Sequence, residues 1–250
     1  MSWQSAGAFV WHPDAIDPEA LGRELRANGF GWAAVFLQDG TSAAPLDPVW
    51  IDKFRSASGL PLGGWGVLRA DPVHEADLVR QLVGRYGLAF YIADAEAEYG
   101  YSGPNGPSGA RFKRSGAFTA EFRRLEPNLP AAVASYCRPD QHDLDWKAWS
   151  SAGFDFLPEA YVNELGAAAA SPAACVAGAA GYFPADRVHP IVGMYAGRLG
   201  LGSAATYARL LKEAGTTGFS VYLAEQGMTD AKWAAFGRAI ATLGIARNPG

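Results

Sequence analysis

The sequence predicts a single-domain (β/α)8 barrel of the TIM type, on three observations. Short apolar runs alternate with amphipathic helical stretches from one end to the other. Three of those helical stretches open on the same pair, Asp17-Pro18, Asp47-Pro48 and Asp71-Pro72. The chain has 250 residues, the usual size of one such barrel. Strict alternation calls for a parallel sheet, because parallel neighbours must be joined by a crossover. An open doubly wound sheet would carry a glycine-rich loop after strand one, and Trp11-His12-Pro13-Asp14 stand there instead.

Strand one is Gly7 to Trp11, followed by a helix with Asp17 as cap and Pro18 and Glu19 in its first turn. Strand two is Trp32 to Leu37, with a helix from Asp47-Pro48. Strand three is Leu62 to Leu68, and the helix from Asp71-Pro72 runs to Tyr86. Strand four is Ala89 to Asp94. The Gly-, Pro- and Ser-rich segment from Glu96 to Arg111 then reads as a loop over the barrel mouth, with a helix from Ser115 to Leu125 behind it. Strand five is Ala131 to Tyr136, with a helix from Asp145 to Ala152. Strand six is Phe154 to Ala160, with a weaker alanine-rich helix from Ser171 to Ala180. Strand seven, Val188 to Tyr195, precedes a helix from Ser203 to Ala214. Strand eight, Gly218 to Leu223, precedes the last helix, Thr229 to Leu243.

Hydrophobic residues make up 49% and charged residues 18%, enough for one sizeable core and too apolar for a disordered chain. A net charge of −4 with scattered basic residues predicts neither a nucleic-acid partner nor an anionic membrane surface. Two cysteines, Cys137 and Cys175, are too few for a disulfide framework. No apolar run is long enough to span a membrane, and Met-Ser-Trp-Gln does not start a signal peptide. The expectation is a protein made in the cytoplasm that reaches the outside, if it does, by lysis or in a particle.

Barrel chemistry sits at the C-terminal strand ends. After strand four, Phe90, Ile92, Asp94, Glu96 and Glu98 share one parity, and Ala89, Tyr91, Ala93, Ala95 and Ala97 share the other. Alternate side chains of a strand face opposite ways, so the first set faces the barrel axis with Asp94 and Glu96 at the rim; Glu98 follows if the strand continues. Crowded, partly buried carboxyls keep a proton at neutral pH, as a general acid must. The plain structural reading instead pairs them with arginines such as Arg69 and Arg138. Other strand ends contribute Trp11, His12, Gln38, Asp39, Trp65, Tyr136, Glu159, Tyr161, Asn163, Tyr195, Tyr222, Glu225 and Gln226. Aromatics among carboxylates and amides suit a sugar, whose ring face stacks while its hydroxyls hydrogen-bond.

Other chemistries lack residues. His12, His74, His142 and His189 show no metal-ligand spacing, and the five lysines fall in helices or loops, against a Schiff base. No metal or other cofactor is expected. The run Gly197-Arg-Leu-Gly-Leu-Gly-Ser203 offers a weaker phosphate cradle, and the acidic cluster a weaker divalent-cation site.

Ala93-Asp-Ala-Glu-Ala-Glu-Tyr99 resembles the Asp-x-Glu end of strand four in muramidase-type lysozyme barrels, and also the last part of the chitinase signature Asp-x-x-Asp-x-Asp-x-Glu. Pro158-Glu-Ala-Tyr161 and Gly218-Phe-Ser-Val-Tyr-Leu-Ala-Glu225 look like glycoside-hydrolase-like barrels of actinobacterial phages, some of which accompany tail or lysis proteins. The resemblance implies hydrolysis of a β-linked glycan, including an N-acetylated one such as peptidoglycan. In the lysozyme register Glu96 is the acid and Asp94 its partner. In the chitinase register Glu98 is the acid and Glu96 orients the N-acetyl group. The second carboxyl comes from Asp94, or across the barrel from Glu159 or Glu225. The alternative is a barrel that binds glycan without cutting it, or builds a phage tail beside other virion proteins.

Overall fold

Pleating sorts the side chains of every strand into two layers, and those layers make the barrel. The computed structural model describes residues 2–100, 109–197, 200–201 and 203–245, with backbone alone at 196, 197, 200 and 201. Eight parallel strands follow one another: β1 (Ala6–Val10), β2 (Trp32–Asp39), β3 (Leu62–Val67), β4 (Tyr91–Asp94), β5 (Ala131–Tyr136), β6 (Asp155–Ala160), β7 (Ile191–Gly193) and β8 (Phe219–Tyr222). Each pairs with its successor and β8 pairs with β1, so the sheet closes. Helices α1 (Pro18–Ala27), α2 (Pro48–Ser58), α3 (Pro72–Tyr86), α4 (Gly109–Leu125), α5 (Trp146–Ser151), α6 (Pro172–Ala179), α7 (Ala204–Ala214) and α8 (Asp230–Leu243) flank it.

Helix starts follow the expected chemistry. Asp17 accepts from the Ala20 amide (2.7 Å), Asp47 from Val49 (2.9 Å) and Asp71 from His74 (3.4 Å), each with proline in the first turn.

Most boundaries shift by one or two residues, and three differences from expectation are larger. β7 is shorter than Val188 to Tyr195 because Pro190, having no amide hydrogen, cannot continue the ladder; Val188 makes only an isolated bridge to Phe156. Between β6 and α6 the chain adds two short helices, Val162–Leu165 and Ala167–Ala170. α4 begins at Gly109, inside the segment expected to be loop; the rest of that segment, 101–108, lies outside the described residues. Residues 198, 199 and 202 of the glycine run lie outside them too. Its flanks, Ala196–Gly197 and Gly200–Leu201, pair antiparallel.

Inside the barrel, Trp3, Phe9, Trp32, Trp65, Phe90, Ile92, Leu157 and Ile191 form one apolar cluster; outside, Tyr91, Ala93 and Ala95 join a larger one beneath the helices. Glycines make room for the inner rings. A Cβ on Gly7 would lie 2.1 Å from the Trp32 indole, and one on Gly63 2.2 Å from the Phe90 ring. Burial of this kind is the main drive for folding, at about 25 cal/mol per Å2 of apolar surface.

Cys137, just after β5, is bonded to Cys175 in α6, with Cα atoms 4.5 Å apart. The bond ties the β5 loop to the helix after β6 across 38 residues of sequence, a spacing from which the pairing was not apparent. Among the described residues no helix is long and apolar enough to cross a membrane.

Candidate active site

The parity expected of strand four holds to its end. Phe90 and Ile92 face the barrel axis, Tyr91 and Ala93 face the helices, and Asp94 closes the strand at the rim. Beyond it the chain leaves the sheet but keeps Glu96 over the axis. From β6, opposite, Glu159 reaches the same point. One carboxylate oxygen from each of Asp94, Glu96 and Glu159 lies within 4.8 Å of the other two. All three residues are half-buried.

A hydrogen bond joins the Glu96 and Glu159 carboxyls, which requires a proton between the two. Burial pushes the Glu159 carboxyl well above the ordinary range, and the negative charges of Glu96 and Asp94 push it further. Burial also raises Asp94 well above its usual value, with Glu96 adding repulsion; its Oδ1 is shut from solvent with no hydrogen-bond partner among the described residues. Glu96 is raised by burial and by Glu98, against the opposing pull of the Glu159 hydrogen bond and Arg69. The cluster therefore holds protons at pH values where isolated carboxylates have lost theirs. Its spacing would also suit a cation, but an acidic cluster alone does not make a metal centre and none is assigned here.

Above the carboxylates opens a cleft of about 450 Å3. Trp11, Trp65, Tyr161, Tyr195 and Tyr222 line it, with Phe9, Val67, Ala134, Ile191 and Leu223 as apolar floor and Arg69 and Gln226 at the rim. Three of the tyrosines interlock: Tyr161 stacks on Tyr222 at 5.8 Å, and Tyr195 meets each edge-on at 5.6 and 5.8 Å. Trp65 is fixed from behind by its indole N–H, which donates to the Val10 carbonyl (3.1 Å). Trp11 is exposed, offering a flat apolar face to whatever enters.

The structure thus brings Asp94, Glu96, Glu159, Trp11, Trp65, Tyr161, Tyr195, Tyr222 and Gln226 together, and places the remaining candidates elsewhere. Glu98 sits in a 3-10 turn (Ala97–Tyr99), because the strand ends at Asp94; the turn swings its carboxylate to the Arg69 guanidinium at 3.2 Å. Arg69 also grips Asp39, at 2.6 and 3.3 Å, so the arginine expected to neutralise the cluster is engaged by its neighbours. Arg138 pairs with Asp140 instead. Glu225 is a clasp: its Oε1 accepts from the amides of Trp11 (2.8 Å) and His12 (2.9 Å), joining the β8 loop to the β1 loop. The His12 ring stacks on Trp11 outside the cleft. Gln38 is fully buried beside Gly66, and Asn163 bonds the Tyr195 carbonyl and the Tyr207 hydroxyl behind the wall. Tyr136 stacks on His142, 4.2 Å away. The floor residues were missed because each carries only the signal of ordinary core.

No family model matches the chain, and no curated protein matches it in sequence. Solved structures do match in shape. The spore cortex-lytic enzyme SleL of Bacillus megaterium superposes with a TM-score of 0.67 at 9% identity, over 98% of this chain and 74% of its own. A GH18 chitinase from Cycas revoluta, solved with (GlcNAc)3, gives 0.66 at 9% identity, over 96% and 99%. A chitinase-like agglutinin from Robinia pseudoacacia gives 0.65 at 10% identity, over 93% and 98%. At these identities the likeness is one of fold.

Proposed function

We propose that the chain is a glycoside hydrolase that cuts a β-linked glycan by carboxylate acid/base chemistry. The observation that carries this reading is the trio Asp94, Glu96 and Glu159, with oxygens within 4.8 Å, on the floor of a cleft walled by aromatic rings. The neighbours whose names describe chitin- or cortex-degrading enzymes support it through their shared fold.

In this reading a sugar ring stacks on the aromatic wall and lays its glycosidic oxygen over Glu96. The proton shared by Glu96 and Glu159 passes to that oxygen as the C–O bond breaks, and the departing chain leaves as an alcohol. Asp94, which acts in its ionised form and so only above its raised titration range, bonds the anomeric carbon as the leaving chain departs and gives a glycosyl ester. Water then attacks the anomeric carbon, expels the Asp94 carboxylate and gives a proton back to Glu96, so two successive displacements keep the configuration. Glu96 is favoured over Glu98 as the acid, since Arg69 holds Glu98 to one side. Inverting enzymes separate their carboxyls by about 6.5–9.5 Å and retaining ones by about 5–5.5 Å. A trio within 4.8 Å favours retention.

The test is release of reducing ends from chitin oligosaccharides and from peptidoglycan, with proton NMR of the first-formed anomer. Wild type should release product with the β configuration kept, and Glu96→Gln should not. The reading fails if wild type releases nothing, or if release survives Glu96→Gln and Glu159→Gln together. A barrel that binds glycan without cutting it is the second reading, favoured by the same fold in a chitinase-like agglutinin. Binding by wild type with no release at any pH would establish it.

A further inference from the structure

Behind the cleft wall lies a carboxylate outside the proposed chemistry. Glu75, in the first turn of α3, is fully buried, and its charge is met by hydrogen-bond donors from two separate loops. Its Oε1 accepts from the backbone amides of Arg69 (2.8 Å), Ala70 (3.0 Å) and Asp71 (3.3 Å), the loop after β3. Its Oε2 accepts from the Tyr99 hydroxyl at 2.5 Å, in the turn after β4. Tyr99 is itself fully buried against Phe118 and Trp149, and its amide donates to the Glu96 carbonyl (2.9 Å). One side chain therefore joins the loop that presents Arg69 to the turn that begins at Glu96.

Capping α3 does not account for this residue, since Asp71 already accepts from the His74 amide. A buried carboxylate is costly unless fully hydrogen-bonded, and an apolar side chain of similar size would fill the space at less cost. What four hydrogen bonds add is direction, because they fix two loops relative to each other. We propose that Glu75 is a positioning residue for the carboxylate trio, holding Glu96 through Tyr99 and Arg69 through the amides of 69–71. The proposal rests on the glycosidase reading of the cleft. The groups that face Glu96 are Asp94, Glu98, Glu159 and Arg69; Tyr99 and Tyr91 face Glu75.

Two variants test it. Tyr99→Phe keeps the ring in its packing and removes only the hydroxyl; Glu75→Gln keeps the shape and removes the charge. Three measurements are made on each: kcat and KM on a glycan that wild type cleaves, the melting temperature, and a carbon-13 NMR titration of the Glu96 carboxyl without substrate. The expected result is a fall in kcat of about 10-fold, the size typical when a supporting hydrogen bond behind a site is lost, with KM within about twofold. The Glu96 titration should move in both variants, and the double variant should lose no more than the worse single one. A lowered melting temperature with kcat, KM and titration all as in wild type would overturn the proposal and leave Glu75 purely structural. If wild type cleaves no glycan, the hydrolase reading falls separately, and the titration alone decides: displaced upholds the positioning role, unmoved overturns it.

Discussion

The two ends of the barrel treat carboxylates in opposite ways. At the N-terminal end, Asp155 on β6 receives the Arg187 guanidinium at 3.0 Å and lies 3.2 Å from the His189 ring nitrogen. At the C-terminal end of the same strand, Glu159 has two further carboxyls for company, and burial and repulsion hold a proton among them. The two acids are only four positions apart. At one end opposite charges are brought together, which steadies the fold. At the other, like charges are gathered, which the fold tolerates and chemistry can use. Stability and activity should therefore come apart along this one strand.

The largest effect should come from Glu96→Gln, which removes the proposed proton donor while keeping the shape. Loss of a general acid costs about 10²- to 10⁴-fold in kcat, measured by reducing-end release, with little change in melting temperature. Asp155→Ala should do the reverse. Stranding Arg187 and His189 should cost about 2–3 kcal/mol, below the full buried-pair figure because Arg187 keeps some solvent. That is roughly 5–10 °C of melting temperature in a chain of this size, with activity per folded molecule kept. Equal damage to kcat from both variants would break the contrast between the ends.

Asp94→Asn should sharpen it through pH. A carboxyl raised in the folded state binds protons that the unfolded chain has already released. Wild-type stability therefore falls as pH rises from the ordinary carboxylate range, about pH 4, through the raised value. The asparagine variant lacks that loss, so it should melt roughly 2–5 °C above wild type at pH 7, with the gain fading toward pH 4. A calorimetric series across that range checks it, and a variant less stable at pH 7 would contradict the crowding. The smallest effect is expected from Trp11→Ala. Loss of one exposed stacking face, about 0.5–1.5 kcal/mol, should raise KM roughly 2- to 10-fold with kcat kept.

Much of the architecture was legible in the sequence because it rests on local chemistry. Asp-Pro starts and period-two alternation act within a few residues, and they placed every strand and the axis-facing set Phe90, Ile92 and Asp94. The candidate site was legible only where a residue sits at or beside a strand end, as with Asp94, Glu159 and Tyr222. Glu98 illustrates the limit, since parity has no meaning once the strand stops at Asp94. Glu225 shows another: position along a strand does not say whether a polar group will meet a ligand or the protein's own backbone. The disulfide and the Glu75 tie depend on loops meeting in space, which no spacing rule anticipates.

The rings packed within the barrel have a consequence for the traffic of small species. Trp3 meets Trp32 at 5.5 Å and Phe90 at 5.1 Å, and Phe9 meets Trp32 and Trp65 at 6.0 and 5.8 Å, each edge to face. Together they stopper the lumen below the carboxylates. The cleft is a blind well, so water and hydronium reach the trio from above and must leave the same way. A long glycan lying across the mouth would then seal its own reaction chamber, and the proton spent on each cut could be replaced only after the chain had shifted.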